Sequence, residues 1–169
     1  IYFWGVGENF NPEVGFVPRK DYIFLSPSFQ YKFLPEDNSL NSHGPGIDYE
    51  FYRNKLNGIT DYDIDIDYNF RFRNQSYLVL KTNFLYTKLL NDFDPSRSDG
   101  VPLAAFSEYN YINHTFYMRT SERRLFSVRL NGKIGQFFNG KIKTLGGTLT
   151  YKIPPFLNVS LGSQINDLD

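Results

Sequence analysis

The chain has 169 residues, room for one domain, and its 18 lysines and arginines equal its 18 aspartates and glutamates, so it lacks the basic excess a nucleic-acid binder needs. It has no cysteine, which decides no compartment, and no run of about 18 apolar residues, which excludes a transmembrane helix. The 17 Phe and 13 Tyr point to an all-β protein, and the mean hydropathy of −0.42 does not argue against a membrane, because barrel strands give half their residues to water.

Tyr2 to Gly7 opens the chain as a candidate strand. Asn9 to Tyr22, "NFNPEVGFVPRKDY", does not alternate, and Pro12, Gly15 and Pro18 break any regular element. Within it Glu13, Arg19, Lys20 and Asp21 can pair with one another or with wall charges while Val14, Phe16 and Val17 tuck inward, so the segment reads as a structural loop anchor. "DYIFLSPSFQYKFL" then sets Ile23, Leu25, Phe29, Tyr31 and Phe33 against Phe24, Ser26, Ser28, Gln30 and Lys32, with Pro27 marking an edge or bulge. Pro35 to Gly46 reads as a long connector. "GIDYEFYRNKLNGI" alternates Ile47, Tyr49 and Phe51 with Asp48, Glu50 and Tyr52, and Asn57-Gly58 signals a hairpin.

The next segment, "YDIDIDYNFRFR" (Tyr62–Arg73), is the most regular. A period of two puts Asp63, Asp65, Asp67, Asn69, Arg71 and Arg73 on one face, with Asp61 just before them, and Tyr62, Ile64, Ile66, Tyr68, Phe70 and Phe72 on the other. Carboxylates about 7 Å apart along a strand would be prohibitive in a dry core, so the charged face must meet water. Ten strand residues tilted by roughly 40° rise about 26 Å, the height of an outer-membrane apolar band. The apolar face is aromatic at its ends, Tyr62 on one side and Phe70 and Phe72 on the other, as in headgroup-level girdles. The expectation is a charged ladder facing a lumen and an apolar row facing lipid.

After the turn "RNQS", "SYLVLKTNFLYTKLL" places Leu78, Leu80, Thr82, Phe84 and Tyr86 opposite Tyr77, Val79, Lys81, Asn83 and Thr87, a weaker alternation. Asn91 to Leu103, rich in Asp, Ser, Pro and Gly, is the longest loop. "FSEYNYINHTFYMR", "LFSVRLNGKIGQFF" and "GKIKTLGGTLTYKI" follow as strands separated by "TSERR" and "FFNG", and Pro154-Pro155 turns the chain into "FLNVSLGSQI". The whole reads as about eight or nine antiparallel strands connected up and down, in one domain over residues 1–169 with no separate second domain. Long loops outside the cell would put "RNQS", "TSERR" and Pro154-Pro155 on the periplasmic side, and Pro35 to Gly46 with them.

Chemistry-bearing motifs are scarce. Asp61, Asp63, Asp65 and Asp67 repeat as D-x-D-x-D-x-D, but an EF-hand loop starting at Asp61 would need Gly where Ile66 stands and Glu where Phe72 stands. His43 and His114 sit far apart in polar surroundings, and no G-x-S-x-G or phosphate-binding glycine loop is present. No catalytic residue, metal or cofactor is therefore expected, and the chain does not read as an enzyme. Tyr109, Tyr111 and Tyr117 fit an interfacial girdle better than a sugar-stacking platform.

The pattern N-P-E-V-G-F-V-x-R-x-D, carried by Asn11, Pro12, Glu13, Val14, Gly15, Phe16, Val17, Arg19 and Asp21, resembles the signature of a family of Bacteroidota outer-membrane proteins. That family is a domain of unknown function usually found after a carbohydrate-binding family-nine-like module. "GQFFNGK" and the closing "NDLD" resemble its later strand ends. The resemblance implies an antiparallel up-and-down transmembrane β-barrel in the bacterial outer membrane, and no activity comes with it. An N-terminus without Met and a C-terminus without a terminal aromatic read as a segment of a larger barrel. The expected function is an outer-membrane pore or scaffold, carbohydrate-related, with outer-membrane lipid and other envelope proteins as partners and an unidentified small-molecule or glycan ligand. The alternative is a soluble all-β glycan-binding module, a sandwich that buries the Ile64 and Ile66 face in protein.

Overall fold

Period-two alternation of aromatic and β-branched residues with polar ones, cut by short Asn, Gly and Pro turns, folds as β-structure throughout. The computed structural model describes residues 1–11, 20–36, 39–96 and 101–169, and among them there is no helix. The strands are β1 (Tyr2–Val6), β2 (Tyr22–Ser26), β3 (Ser28–Gln30), β4 (Leu40–Asn54), β5 (Gly58–Phe72), β6 (Tyr77–Lys88), β7 (Glu108–Arg119), β8 (Phe126–Phe137), β9 (Gly140–Ile153) and β10 (Leu157–Leu168). They form one antiparallel sheet in the order β1-β2-β4-β5-β6-β7-β8-β9-β10, with β3 beside β4 and with β1 and β10 as its two edges.

The turns explain why neighbours in sequence are neighbours in the sheet. Between β4 and β5, Asn54 Oδ1 accepts from the Leu56 and Asn57 amides at 2.8 and 3.0 Å, and Gly58 supplies a φ of 71° that a side chain would resist. Between β5 and β6, Asn74 Oδ1 accepts from the Ser76 amide at 2.9 Å. The register of β8 on β9 then runs from Phe137↔Gly140 to Phe126↔Tyr151, and that of β9 on β10 from Ile153↔Leu157 to Ile142↔Leu168.

Two expectations need correction. Among the described residues the strands number ten, not about eight or nine, because Pro27, which has no N–H to give a ladder, splits one expected strand into β2 and β3. Its carbonyl still accepts from the Tyr49 amide at 3.0 Å. The expected connector Pro35 to Gly46 is largely strand, since β4 begins at Leu40. Gly44 makes this possible: a Cβ there would lie 2.0 Å from the Tyr31 carbonyl oxygen, and without one the segment after β3 lies directly against β4. Tyr31 N then donates to Pro45 O at 3.0 Å and Phe33 N to His43 O at 2.7 Å. Of the motif loop, Pro12, Glu13, Gly15, Phe16 and Arg19 lie outside the described residues.

The chain divides into two units, each assembled from three stretches: Ile1–Ser28, Asp48–Ile64 and Phe84–Tyr111 in the first, and Phe29–Ile47, Asp65–Asn83 and Ile112–Asp169 in the second. The first holds a cross-strand aromatic row. Trp4 pairs with Phe24 and Phe24 with Tyr52, at ring distances of 4.1 and 4.6 Å, leaving Phe24 buried; Leu89 and Tyr111 of the same unit are buried too. The second is inverted. Its buried side chains, among the described residues, are Ser42, Asp67, Asn69, Asn113, Ser121 and Ser127, all of them polar.

Candidate functional site

The polar side of β5 in the second unit carries a side-chain network that reaches β6 and β7. Asp65 accepts from Lys81 Nζ and from Asn83 Nδ2, both on β6, and Thr115 Oγ1 on β7 reaches Asn83 Oδ1 at 3.5 Å. Two positions along, Asn69 donates to the Asp67 carboxylate and in turn accepts from the Tyr77 hydroxyl. Asp67 fits because it faces Gly46 of β4, where a Cβ would lie 2.6 Å from Oδ1. Further along, Arg71 lies over the Tyr77 ring at 5.5 Å, and Arg73 donates from Nη2 to the Glu36 carbonyl at 3.0 Å and from Nε to that of Leu40 at 3.4 Å. Asp65, Asp67, Asn69, Arg71 and Arg73 thus share one side with odd-numbered residues of β6 and β7. In the first unit, Asp61 and Asp63 are half-buried, and their neighbour Tyr111 hydrogen-bonds Thr87.

Chemically this face presents fixed dipoles and charges, and Asp65 is occupied by its two donors. Among the described residues no three His, Asp or Glu side chains converge as a metal shell.

The opposite side of β5 is apolar and ringed by aromatics. In the second unit Ile66 is 49% exposed, the Tyr68 hydroxyl lies 2.7 Å from His43 Nδ1, and His43 stacks on Phe33 at 5.2 Å and on Phe70 at 6.3 Å, while Phe72 is half-buried. His43 is therefore in aromatic surroundings, not the polar ones expected. His114 contacts Thr82 Oγ1 at 3.0 Å through Nδ1. In the first unit Ile64 is half-buried, Tyr62 stacks on Tyr86 at 5.2 Å and its hydroxyl donates to Asn110 Oδ1 at 3.1 Å. Lys88 and Glu108 form an ion pair there at 3.0 Å.

Tyr109, Tyr111 and Tyr117, expected in the girdle, occupy odd positions of β7 with the buried Asn113, and Tyr117 lies 6.3 Å from Tyr77 on the polar side. Tyr62, Tyr68 and Tyr86 are on the apolar side. Reasoning from single strands missed the partners Lys81, Asn83 and Thr115. Their parity, odd like Tyr77 and Tyr117, was the available signal. Of the motif loop, Asn11 is exposed, and Asp21 is tied to the end of β4, its carbonyl accepting from Asn54 Nδ2 at 2.7 Å.

No protein family, no curated protein and no solved structure matches this chain.

Proposed function

We propose that this chain is the wall of an outer-membrane β-barrel, a pore or membrane scaffold whose partners are outer-membrane lipid and other envelope proteins. The observation that carries the reading is the inverted burial of the second unit. On β5 Asp67 and Asn69 are each 8% exposed while Ile66, next to Asp67 on the opposite side, is 49% exposed, and the same holds on β8 for Ser127 at 7% against Ile134 at 57%. Leu145 and Leu149 on β9 and Leu161 and Ile165 on β10 continue the exposed apolar side. Water penalises so broad an apolar surface; hydrocarbon does not, and strands that alternate apolar-out with polar-in are what a barrel requires.

Three further features support it. Tyr62, Tyr68 and Tyr86 present rings on the apolar side and hydroxyls to polar partners, as interfacial aromatics do. Asn113, 2% exposed, has an Oδ1 without a protein hydrogen bond among the described residues, which a water in a hydrated lumen would satisfy. The edges at β1 and β10 have to be closed in a bilayer, either on each other or on further strands, because a backbone edge in hydrocarbon has no partner. The likeness of the Asn11-to-Asp21 motif to Bacteroidota outer-membrane proteins points the same way, toward a carbohydrate-related system and away from an enzyme. A soluble glycan-binding sandwich would need a second layer on the Ile66 side, and no observation favours one.

Solubility tests the proposal. The full chain is expected to aggregate without detergent and to be recovered as folded β-structure in micelles. A folded, monodisperse chain in plain buffer would refute it.

A further inference from the structure

Where the polar side of β5 and β7 ends in the second unit, a cavity of about 760 Å³ opens between strand ends and the β5–β6 turn. Arg71, Arg73 and Arg119 line it with Tyr77 and Tyr117, and among the described residues no carboxylate does. None of the three guanidiniums pairs with a carboxylate among the described residues. Two are held in place by other means, Arg71 over the Tyr77 ring at 5.5 Å and Arg73 by the Glu36 and Leu40 carbonyls. The nearest acid on the same side of β5, Asp67, is four residues away, roughly 13 Å along a strand, and its carboxylate accepts from Asn69. Glu122 is taken by Arg129 at 3.3 Å.

We infer that this cavity is a binding site for a multivalent oxyanion, a ligand carrying phosphate or carboxylate groups. Three like charges gathered without counter-charge repel one another, and an oxyanion reverses the sign of that interaction. Guanidinium forks accept such groups through paired, charge-assisted hydrogen bonds, and positioning before binding reduces the ordering each bond costs. The volume lies within the range of small-molecule sites, above that of a single ion. The Tyr77 and Tyr117 rings, 6.3 Å apart and tilted, give the organic part of the ligand an aromatic wall. The site stands on the geometry of the second unit alone and holds whether the apolar side of the sheet meets lipid or protein.

Calorimetric titration of the folded full chain in neutral detergent micelles, at low salt, tests it with inorganic phosphate, citrate and glucose as probes. Citrate and phosphate should bind saturably, citrate the more tightly, and glucose should give no heat. Arg71→Gln combined with Arg119→Gln should weaken citrate by about tenfold or more, the usual consequence of losing hydrogen bonds to a charged partner. Arg119→Gln alone, at an exposed strand end, should weaken it several-fold and serves where the double variant does not fold. Arg129→Gln, whose guanidinium is already paired, should leave binding unchanged. Doping the micelles with an anionic phospholipid separates the sources: competition with citrate supports the site with a headgroup phosphate as occupant, and its absence supports the site with a soluble one. Citrate binding that survives the Arg substitutions, or no binding of citrate and phosphate alike, overturns the inference.

Discussion

Replacing Ile66 by Arg distinguishes lipid from water at the apolar side of β5. Ile66 lies midway along the row from Tyr62 to Phe72 and is 49% exposed, so about half of its side chain packs on neighbours and half meets the surroundings. The aliphatic stem of Arg replaces much of the packed half, and the strand preference of Ile over Arg is worth at most about 1 kcal/mol. In water the substitution therefore costs about 1 kcal/mol or less, as for other half-exposed surface positions. Near a bilayer midplane the same change costs about 2 to 4 kcal/mol, because the guanidinium must leave water. The difference is up to about a hundredfold in the folding equilibrium, well outside the error of a denaturation curve. Reversible urea unfolding of the chain in lipid vesicles measures it, with Ile134→Arg on β8 as an independent copy of the experiment. Stability within about 1 kcal/mol of the unsubstituted chain for both variants would mean that water, not hydrocarbon, covers this side.

Three other outcomes follow from the same geometry. Asp65→Asn leaves the part-buried Lys81 without its carboxylate and should destabilise by about 1 kcal/mol, a value kept low by partial exposure of both groups; in a double-mutant cycle Lys81→Met should remove most of that cost, and additive effects would mean the pair contributes nothing. Gly46→Ala puts a methyl 2.6 Å from the buried Asp67 carboxylate and should cost about 1 to 3 kcal/mol in thermal or urea unfolding, a penalty that Asp67→Ser should relieve; an undisturbed Gly46→Ala would contradict the close approach. Calcium should bind the row Asp61 to Asp67 no more tightly than about millimolar, because Lys81 and Asn83 occupy Asp65 and the spacing is extended instead of wrapped; micromolar affinity by calorimetry, lost on Asp63→Asn, would overturn this.

Strand type and the two sides of β5 were legible from Tyr62–Arg73 because a period of two needs only one strand to express it. What links strands was not. Nothing in "SYLVLKTNFLYTKLL" alone says that Lys81 and Asn83 meet Asp65, since cross-strand partners depend on register, and alternation alone would make Asp65→Asn harmless. The start of β4 was missed because Gly44, Pro45 and Gly46 carry turn chemistry; here the two glycines serve close approach, to the Tyr31 carbonyl and to Asp67. The girdle was assigned to Tyr109, Tyr111 and Tyr117 by their number, whereas parity puts them beside Asn113 and leaves the apolar side of β7 to Ile112, Phe116 and Met118. The arginine cavity needs β5 and β7 together, and each strand end alone reads as an ordinary charged terminus.

The central claim, that the apolar side of the second unit meets lipid while the other side meets water, is open to direct measurement by fluorescence. In a Trp4→Phe background, which removes the one native tryptophan, a single Trp is placed by Ile66→Trp on the apolar side or by Val79→Trp on the polar side. In vesicles of brominated lipid the account predicts strong quenching of the Ile66→Trp variant and little of the Val79→Trp variant, with the order reversed for a water-soluble quencher. Equal quenching of the two by either agent, or an Ile66→Trp variant reached only from water, would contradict it.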